Sequence, residues 1–65
     1  MEKTDLEPFV GRRICIHLRD GYRYSGQILT LNGDHLLFED KFGKNILVRF
    51  DSLAAIQEIQ EVERQ

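Results

Sequence analysis

Few residues in this 65-residue chain are of types that do chemistry, and their spacing limits what that chemistry could be. Cys15 and His17 lie two positions apart, so on a strand their side chains share one face. A structural zinc site needs about four such ligands, and no further cluster completes one. A single cysteine also forms no intrachain disulfide. Because no nucleophile–base pair, phosphate-cradling glycine loop or carboxylate dyad stands out, we expect neither an enzyme nor a metal or cofactor site.

The second chemical feature is charge. The net charge of −2 is the sum of basic and acidic blocks that alternate along the sequence. Basic blocks over residues 11–23 and 41–50 each carry +3, whereas residues 34–40 carry −3. The overall acidity speaks against a nucleic-acid partner, but basic blocks gathered on one surface would favour one. Whether the blocks meet depends on the fold.

Runs of apolar residues separated by glycine turns must position these groups. Asp20-Gly21 and Asn32-Gly33 predict tight hairpins with positive φ at both turn residues, and Asp40–Lys44 predicts a third turn. The runs between them alternate with period two, which indicates strands with one buried face. The inward residues predicted in the first, third and fourth runs are Ile14, Ile16, Leu18, Leu36, Phe38, Ile46, Val48 and Phe50.

The N-terminal segment reads as a short helix over about residues 4–10. Thr4 and Glu7 match a capping box, and Leu6, Phe9 and Val10 fall on one helical stripe. The helix is expected to end near the glycine that follows this stripe.

The whole chain, residues 1–65, therefore predicts a single all-β domain with a short N-terminal helix. Five strands span about residues 11–59, with a bend at Gly26, and an acidic tail follows over residues 60–65. The predicted architecture is a small, strongly bent antiparallel barrel. Its core is marginal at this size, so oligomerisation is the expected support. No apolar stretch reaches the ~18 residues of a membrane span, and no targeting segment is evident, so a cytoplasmic protein is expected.

These features resemble the Sm-like superfamily, which includes the LSm and Hfq proteins, from about Leu6 to Ile59. The first Sm motif is approximated from Ile14 to Asp40, with Gly21 and Gly26 five residues apart. The second is approximated by residues 46–56, which contain Arg49-Phe50-Asp51. The chain lacks the Met-Asn pair of the first motif, and its shorter loop is closer to bacterial Hfq. It is similar to a minimal prokaryotic, archaeal or phage-type member.

The resemblance implies an SH3-like barrel that assembles into a homo-hexameric or homo-heptameric ring and binds single-stranded, U-rich or A-rich RNA without catalysis. It also implies that two loops face the central pore and contact RNA through Asn32, Asp34, His35, Arg49, Phe50 and Asp51. Arg49 and His35 can sandwich a base, and stacking contributes about 1–3 kcal/mol per base. The alternatives are hairpin chemistry for Asn32–Asp34, a loop-bracing Arg49–Asp51 ion pair, and core or subunit packing for Phe50.

A second, weaker RNA surface is implied on the opposite face. Its candidate residues are His17, Gly21, Tyr22, Arg23, Tyr24 and Ser25. Two tyrosines flanking an arginine suit base stacking, although aromatic residues also pack well on strands.

An oligomeric scaffold that binds protein partners is the alternative function. The net charge of −2 and the missing Met-Asn pair favour the scaffold, whereas Arg49 and the two basic blocks favour RNA.

Overall fold

A computed structural model describes residues 1–59, and it contains one short helix followed by five antiparallel strands in one sheet. This confirms the predicted all-β class. The elements are α1 (Lys3–Leu6), a 3-10 turn (Glu7–Phe9), β1 (Ile14–Leu18), β2 (Arg23–Leu31), β3 (His35–Asp40), β4 (Asn45–Arg49), a second 3-10 turn (Phe50–Ser52) and β5 (Leu53–Glu58). The strand order is β4-β3-β2-β1-β5, so β4 and β5 are the two edges. The predicted tail, 60–65, lies outside the described residues.

The core forms where the alternating strand faces meet the helix. It comprises nine buried residues: Leu6, Ile14, Ile16, Ile28, Leu36, Phe38, Val48, Phe50 and Leu53. Leu18 and Ile46 are half-buried and pack against this cluster, so the predicted inward faces of β1, β3 and β4 are confirmed. Apolar burial of this kind is the main favourable term in the stability of such a domain.

The β2 strand bends so that the sheet takes a barrel-like form. Gly26 pairs with Ile14 of β1 on one side and with Asp40 of β3 on the other. A Cβ atom on Gly26 would overlap the Glu39 carbonyl oxygen and lie 2.8 Å from the Asp40 Cα. The pairing register shifts between Ile28 and Thr30, as expected for a bulge that bends a strand.

The predicted capping box of Thr4 and Glu7 is wrong. The helix begins one residue earlier than expected, and Glu2 is its N-cap. The Glu2 backbone N–H donates to the Asp5 carboxylate at 3.1 Å, so Asp5, and not the predicted Glu7, satisfies this end. Val10 is also not part of a helical stripe, because it lies past the 3-10 turn and is 42% exposed. No helix within residues 1–59 has the length and apolar character needed to cross a membrane.

The turn at Asn32-Gly33 also differs from the prediction. Neither residue has positive φ; the glycines that do are Gly11, Gly21 and Gly43. The Asn32 backbone N–H donates to the His35 carbonyl at 2.9 Å, so the two turn residues are Gly33 and Asp34. The register of β2 against β3 moves the turn one position along the chain. At Asp20-Gly21 only the glycine takes positive φ.

Candidate nucleic-acid interface

The β2–β3 turn holds the imidazole of His35 at both ring nitrogens. Its Nδ1 lies 2.8 Å from Asp34 Oδ1, and its Nε2 lies 3.1 Å from Asn32 Nδ2. A neutral ring protonated at Nδ1 satisfies both contacts, because it donates to the carboxylate and accepts from the amide. The side chain of His35 stays 34% exposed. The turn therefore holds the His35 imidazole in one orientation at the surface.

Asp34 carries negative charge at this turn. The hydrogen bond from His35 is the main cause that holds the pKa of Asp34 below its ordinary value of 3.8, and the positive charge of Arg49 acts in the same direction. The carboxylate is therefore ionised at neutral pH, where it can only accept hydrogen bonds. It can read a donor on a base edge, but it repels phosphate.

Arg49 and Asp51 pair with each other after β4. The Arg49 Nε and Nη2 donate to the two Asp51 carboxylate oxygens, each at 3.3 Å. Both side chains are about 70% exposed. An exposed pair of this kind contributes only about 0–1 kcal/mol, so an incoming phosphate or base can compete for the guanidinium. The loop-bracing contact is present, and it leaves Arg49 accessible.

Phe50 lies in the core. Its side chain is 6% exposed and belongs to the buried cluster, so within this chain the ring packs inward rather than facing the loop surface. Its backbone does reach the loops, because the Phe50 N–H donates to the Asp34 carbonyl at 2.9 Å. Phe50 therefore anchors one loop against the other.

The two predicted loops meet at one end of the sheet. His35 and Arg49 are direct partners across β3 and β4, next to the Phe50–Asp34 hydrogen bond. Beside them lies a concavity of about 390 Å³, lined by Gly33, Asp34, Arg49, Phe50 and Asp51, with residues 1–3 as a further wall. Sequence reasoning missed this N-terminal wall, because its position depends on how the helix crosses the sheet.

The candidates for the opposite face lie at the other end of β2. Gly21 and Tyr22 form the β1–β2 turn, where Tyr22 is 64% exposed. Arg23, Tyr24 and Ser25 begin β2, whereas the Asn32 turn follows the other end of the same strand. Tyr24 is half-buried against the core, which agrees with the packing interpretation for that ring.

His17 pairs across β1 and β2 with Arg23 and contacts Cys15 on its own strand. The Cys15 Sγ lies 3.7 Å from His17 Nε2. Within residues 1–59, no group of three or more His, Cys, Asp and Glu side chains is arranged to hold a metal ion.

Sequence reasoning missed two residues of the β3–β4 hairpin. Lys41 and Phe42 line a second concavity, of about 360 Å³, together with Arg23, Tyr24 and Ser25. The available signal was an aromatic residue inside a turn, where it continues no strand alternation. Its proximity to β2 depends on strand lengths that the sequence does not specify.

Comparisons with known proteins give no identity. No protein-family model matches the chain, and a search of curated proteins finds no match. The resemblance to the Sm-like superfamily therefore stays a prediction, and the geometry of the two loops and of the free edges carries the functional argument.

Proposed function

We propose that this chain forms a ring of identical subunits that binds single-stranded RNA without catalysis, as an Sm-like protein would. The observation that carries the proposal is the meeting of the two loops: His35 lies opposite Arg49, and the Phe50–Asp34 backbone bond of 2.9 Å joins them. Each subunit would offer one such loop cluster, which consists of Asn32, Asp34, His35, Arg49 and Asp51, to the RNA.

The side chains at this cluster suit one base per subunit. The Arg49 guanidinium and the His35 imidazole are planar, the first exposed and the second half-buried, and a base that stacks between them would gain about 1–3 kcal/mol. The Asn32 amide and the Asp34 carboxylate offer a donor and an acceptor for the base edge. Weak contacts repeated around a ring add up, because each bound base raises the effective concentration of the next.

The free edges of β4 and β5 support assembly into a ring. Within residues 1–59, the sheet order leaves both strands without a neighbour on their outer side. Unpaired edges invite pairing with another chain, and pairing β4 of one subunit with β5 of the next closes a cyclic array. In the same step, the core of this 65-residue domain gains buried apolar area.

An oligomeric scaffold that binds proteins is the second candidate function. Its supporting observation is that Asp34 and Asp51 both lie in the loop cluster, where Asp51 already pairs with Arg49. Two carboxylates there disfavour the approach of phosphates. The same ring would then present its loops or its exposed apolar residues to a protein partner.

The test combines particle mass with RNA binding. Light scattering should give roughly 45–55 kDa for six or seven copies of the 7.6 kDa chain. Oligo-U or oligo-A should bind in a salt-sensitive manner, and Arg49→Ala should weaken binding about tenfold or more. Arg49→Lys is the matched control, because it keeps the charge and loses the planar stacking surface.

Two results would contradict the RNA proposal. A monodisperse monomer would remove the ring, and an intact ring that binds neither oligonucleotide at low salt would favour the scaffold.

A further inference from the structure

Asp34 presents a carboxylate oxygen without a partner at the loop cluster. Its Oδ1 accepts from the Nδ1 of His35 at 2.8 Å, and within residues 1–59 no hydrogen bond engages its Oδ2. The side chain of Asp34 is 77% exposed, so a ligand can reach this oxygen. An ionised carboxylate has lone pairs and no proton, so it accepts hydrogen bonds and donates none. A base that lies against Asp34 must therefore offer donors.

The His35 ring fixes the position of this carboxylate. Its two nitrogens contact Asp34 on one edge and the Nδ2 of Asn32, at 3.1 Å, on the other. The carboxylate and the amide thus flank the ring before any ligand arrives. Groups that are held in place by their own hydrogen bonds discriminate between ligands better than mobile ones, because they do not turn to suit the wrong partner.

The negative charge of Asp34 is not neutralised by a guanidinium. Arg49, the cation of the loop cluster, donates through Nε and Nη2 to the two oxygens of Asp51. The hydrogen bond from His35 lowers the pKa of Asp34, so the carboxylate is charged at neutral pH. Hydrogen bonds to an ionised acceptor are stronger than those between neutral groups. The carboxylate therefore favours a ligand that donates to both of its oxygens.

Guanine is the base that meets this requirement best. Its Watson–Crick edge carries two neighbouring donors, the N1–H and the 2-amino group. Adenine and cytosine each place one amino group beside an acceptor nitrogen, and uracil offers N3–H between two carbonyl oxygens. Against a carboxylate, guanine donates twice, whereas each of the other three bases donates once and brings an acceptor towards a negative charge.

We propose that the loop cluster selects guanine, whose N1–H and 2-amino group donate to the carboxylate of Asp34 while Arg49 and His35 stack on the base. The preferred ligand is then single-stranded RNA that contains guanosine. This differs from the U-rich or A-rich preference that the Sm-like resemblance implies, because this loop carries Asp34 and lacks the Met-Asn pair. The inference rests on the proposed RNA-binding function and assigns the base that the same site reads.

Base substitution in the RNA tests the inference on the unmodified protein. A short oligonucleotide that alternates guanosine and uridine should bind about fivefold or more tightly than oligo-U of the same length and at the same salt, as measured by fluorescence anisotropy. Inosine is the matched control, because it keeps N1–H and lacks the 2-amino group. Replacing every guanosine by inosine should remove most of the gain in affinity.

Two protein variants separate base selection from electrostatics. Asp34→Asn keeps the shape of the side chain but leaves one acceptor oxygen, so it should bring the two oligonucleotides to within about twofold of each other. Asp51→Asn removes the same charge from the same loop cluster. It should strengthen the binding of both oligonucleotides and preserve the ratio of their affinities.

The outcomes distinguish this inference from the proposed function. If the wild-type protein binds none of the oligonucleotides at low salt, both fail. If all bind equally and Arg49→Ala weakens all of them, RNA binding stands and guanine selection is overturned. If the inosine oligonucleotide binds as tightly as the guanosine one, or if Asp51→Asn removes the preference as fully as Asp34→Asn, the Asp34 carboxylate does not read the base.

Discussion

At the scale of single residues, Gly26 is the glycine with the least room for a side chain. It sits where β2 passes between β1 and β3, and a Cβ atom there would overlap the Glu39 carbonyl oxygen. Gly33 also has no positive φ, and nothing lies within 4 Å of a Cβ built on it. The two glycines therefore differ in their surroundings rather than in their backbone freedom.

We predict that Gly26→Ala lowers the free energy of unfolding by about 2 kcal/mol or more, because strand backbone has to move to admit the methyl group. This is a large part of the roughly 3–10 kcal/mol expected for a domain of this size. Gly33→Ala is the matched control and should change stability by less than about 0.5 kcal/mol. Urea unfolding at equal protein concentration measures both, and equal effects would contradict the steric explanation.

At the scale of elements, the β1–β2 and β3–β4 turns share one design. Each turn has a three-residue loop closed by two backbone hydrogen bonds. In the β1–β2 turn Leu18 bonds to Tyr22 and Gly21, and in the β3–β4 turn Asp40 bonds to Lys44 and Gly43. An aspartate side chain reinforces each loop. Asp20 accepts one backbone N–H, from Tyr22, whereas Asp40 accepts two, from Phe42 and Lys44.

We predict that Asp40→Ala destabilises the protein by about 1–2 kcal/mol and Asp20→Ala by about 0.5–1 kcal/mol, because each lost hydrogen bond contributes about 0.5–1.5 kcal/mol. Thermal unfolding followed by circular dichroism compares the two variants. Equal losses of stability would show that the second hydrogen bond accepted by Asp40 does not stabilise the loop.

The elements themselves could be predicted from the sequence, but their ends could not. Alternation identified the buried faces of β1 and β3, because burying one face of a sheet leaves a period of two in the residue types. The Asn32-Gly33 turn moved by one residue because cross-strand register decides where a hairpin closes. The concavity beside Phe42 could not be foreseen, since it depends on β2 being longer than β3.

At the scale of the whole molecule, the net charge of −2 is distributed unevenly over the two ends of the sheet. Arg23 and Lys41, from different basic blocks, line the same concavity of about 360 Å³, whereas Arg49 lies beside the carboxylates of Asp34 and Asp51. Away from these two groups, Arg12 and Glu58 form an ion pair at 2.8 Å. The net charge of the whole chain therefore does not predict the local charge at either end of the sheet.

The edge of β4 is the place to test assembly. Hydrogen bonds at Phe50 and Asp40 fix the ladder between β3 and β4, so that even-numbered residues of β4 bond to β3 and the N–H of Leu47 points outward. The Leu47 side chain is 66% exposed, so its loss leaves the core intact. Proline at this position removes one outward donor and no bond to β3.

We predict that Leu47→Pro converts the proposed ring into single 7.6 kDa subunits that keep the β-sheet circular dichroism spectrum, because an edge without this donor cannot complete the ladder to β5 of a neighbour. Leu47→Thr is the matched control: it changes the side chain, keeps the N–H, and should leave the ring intact. Light scattering of both variants at the same concentration measures the outcome. A Leu47→Pro protein that still forms the full-sized particle would mean that subunits associate through a surface other than the β4 edge.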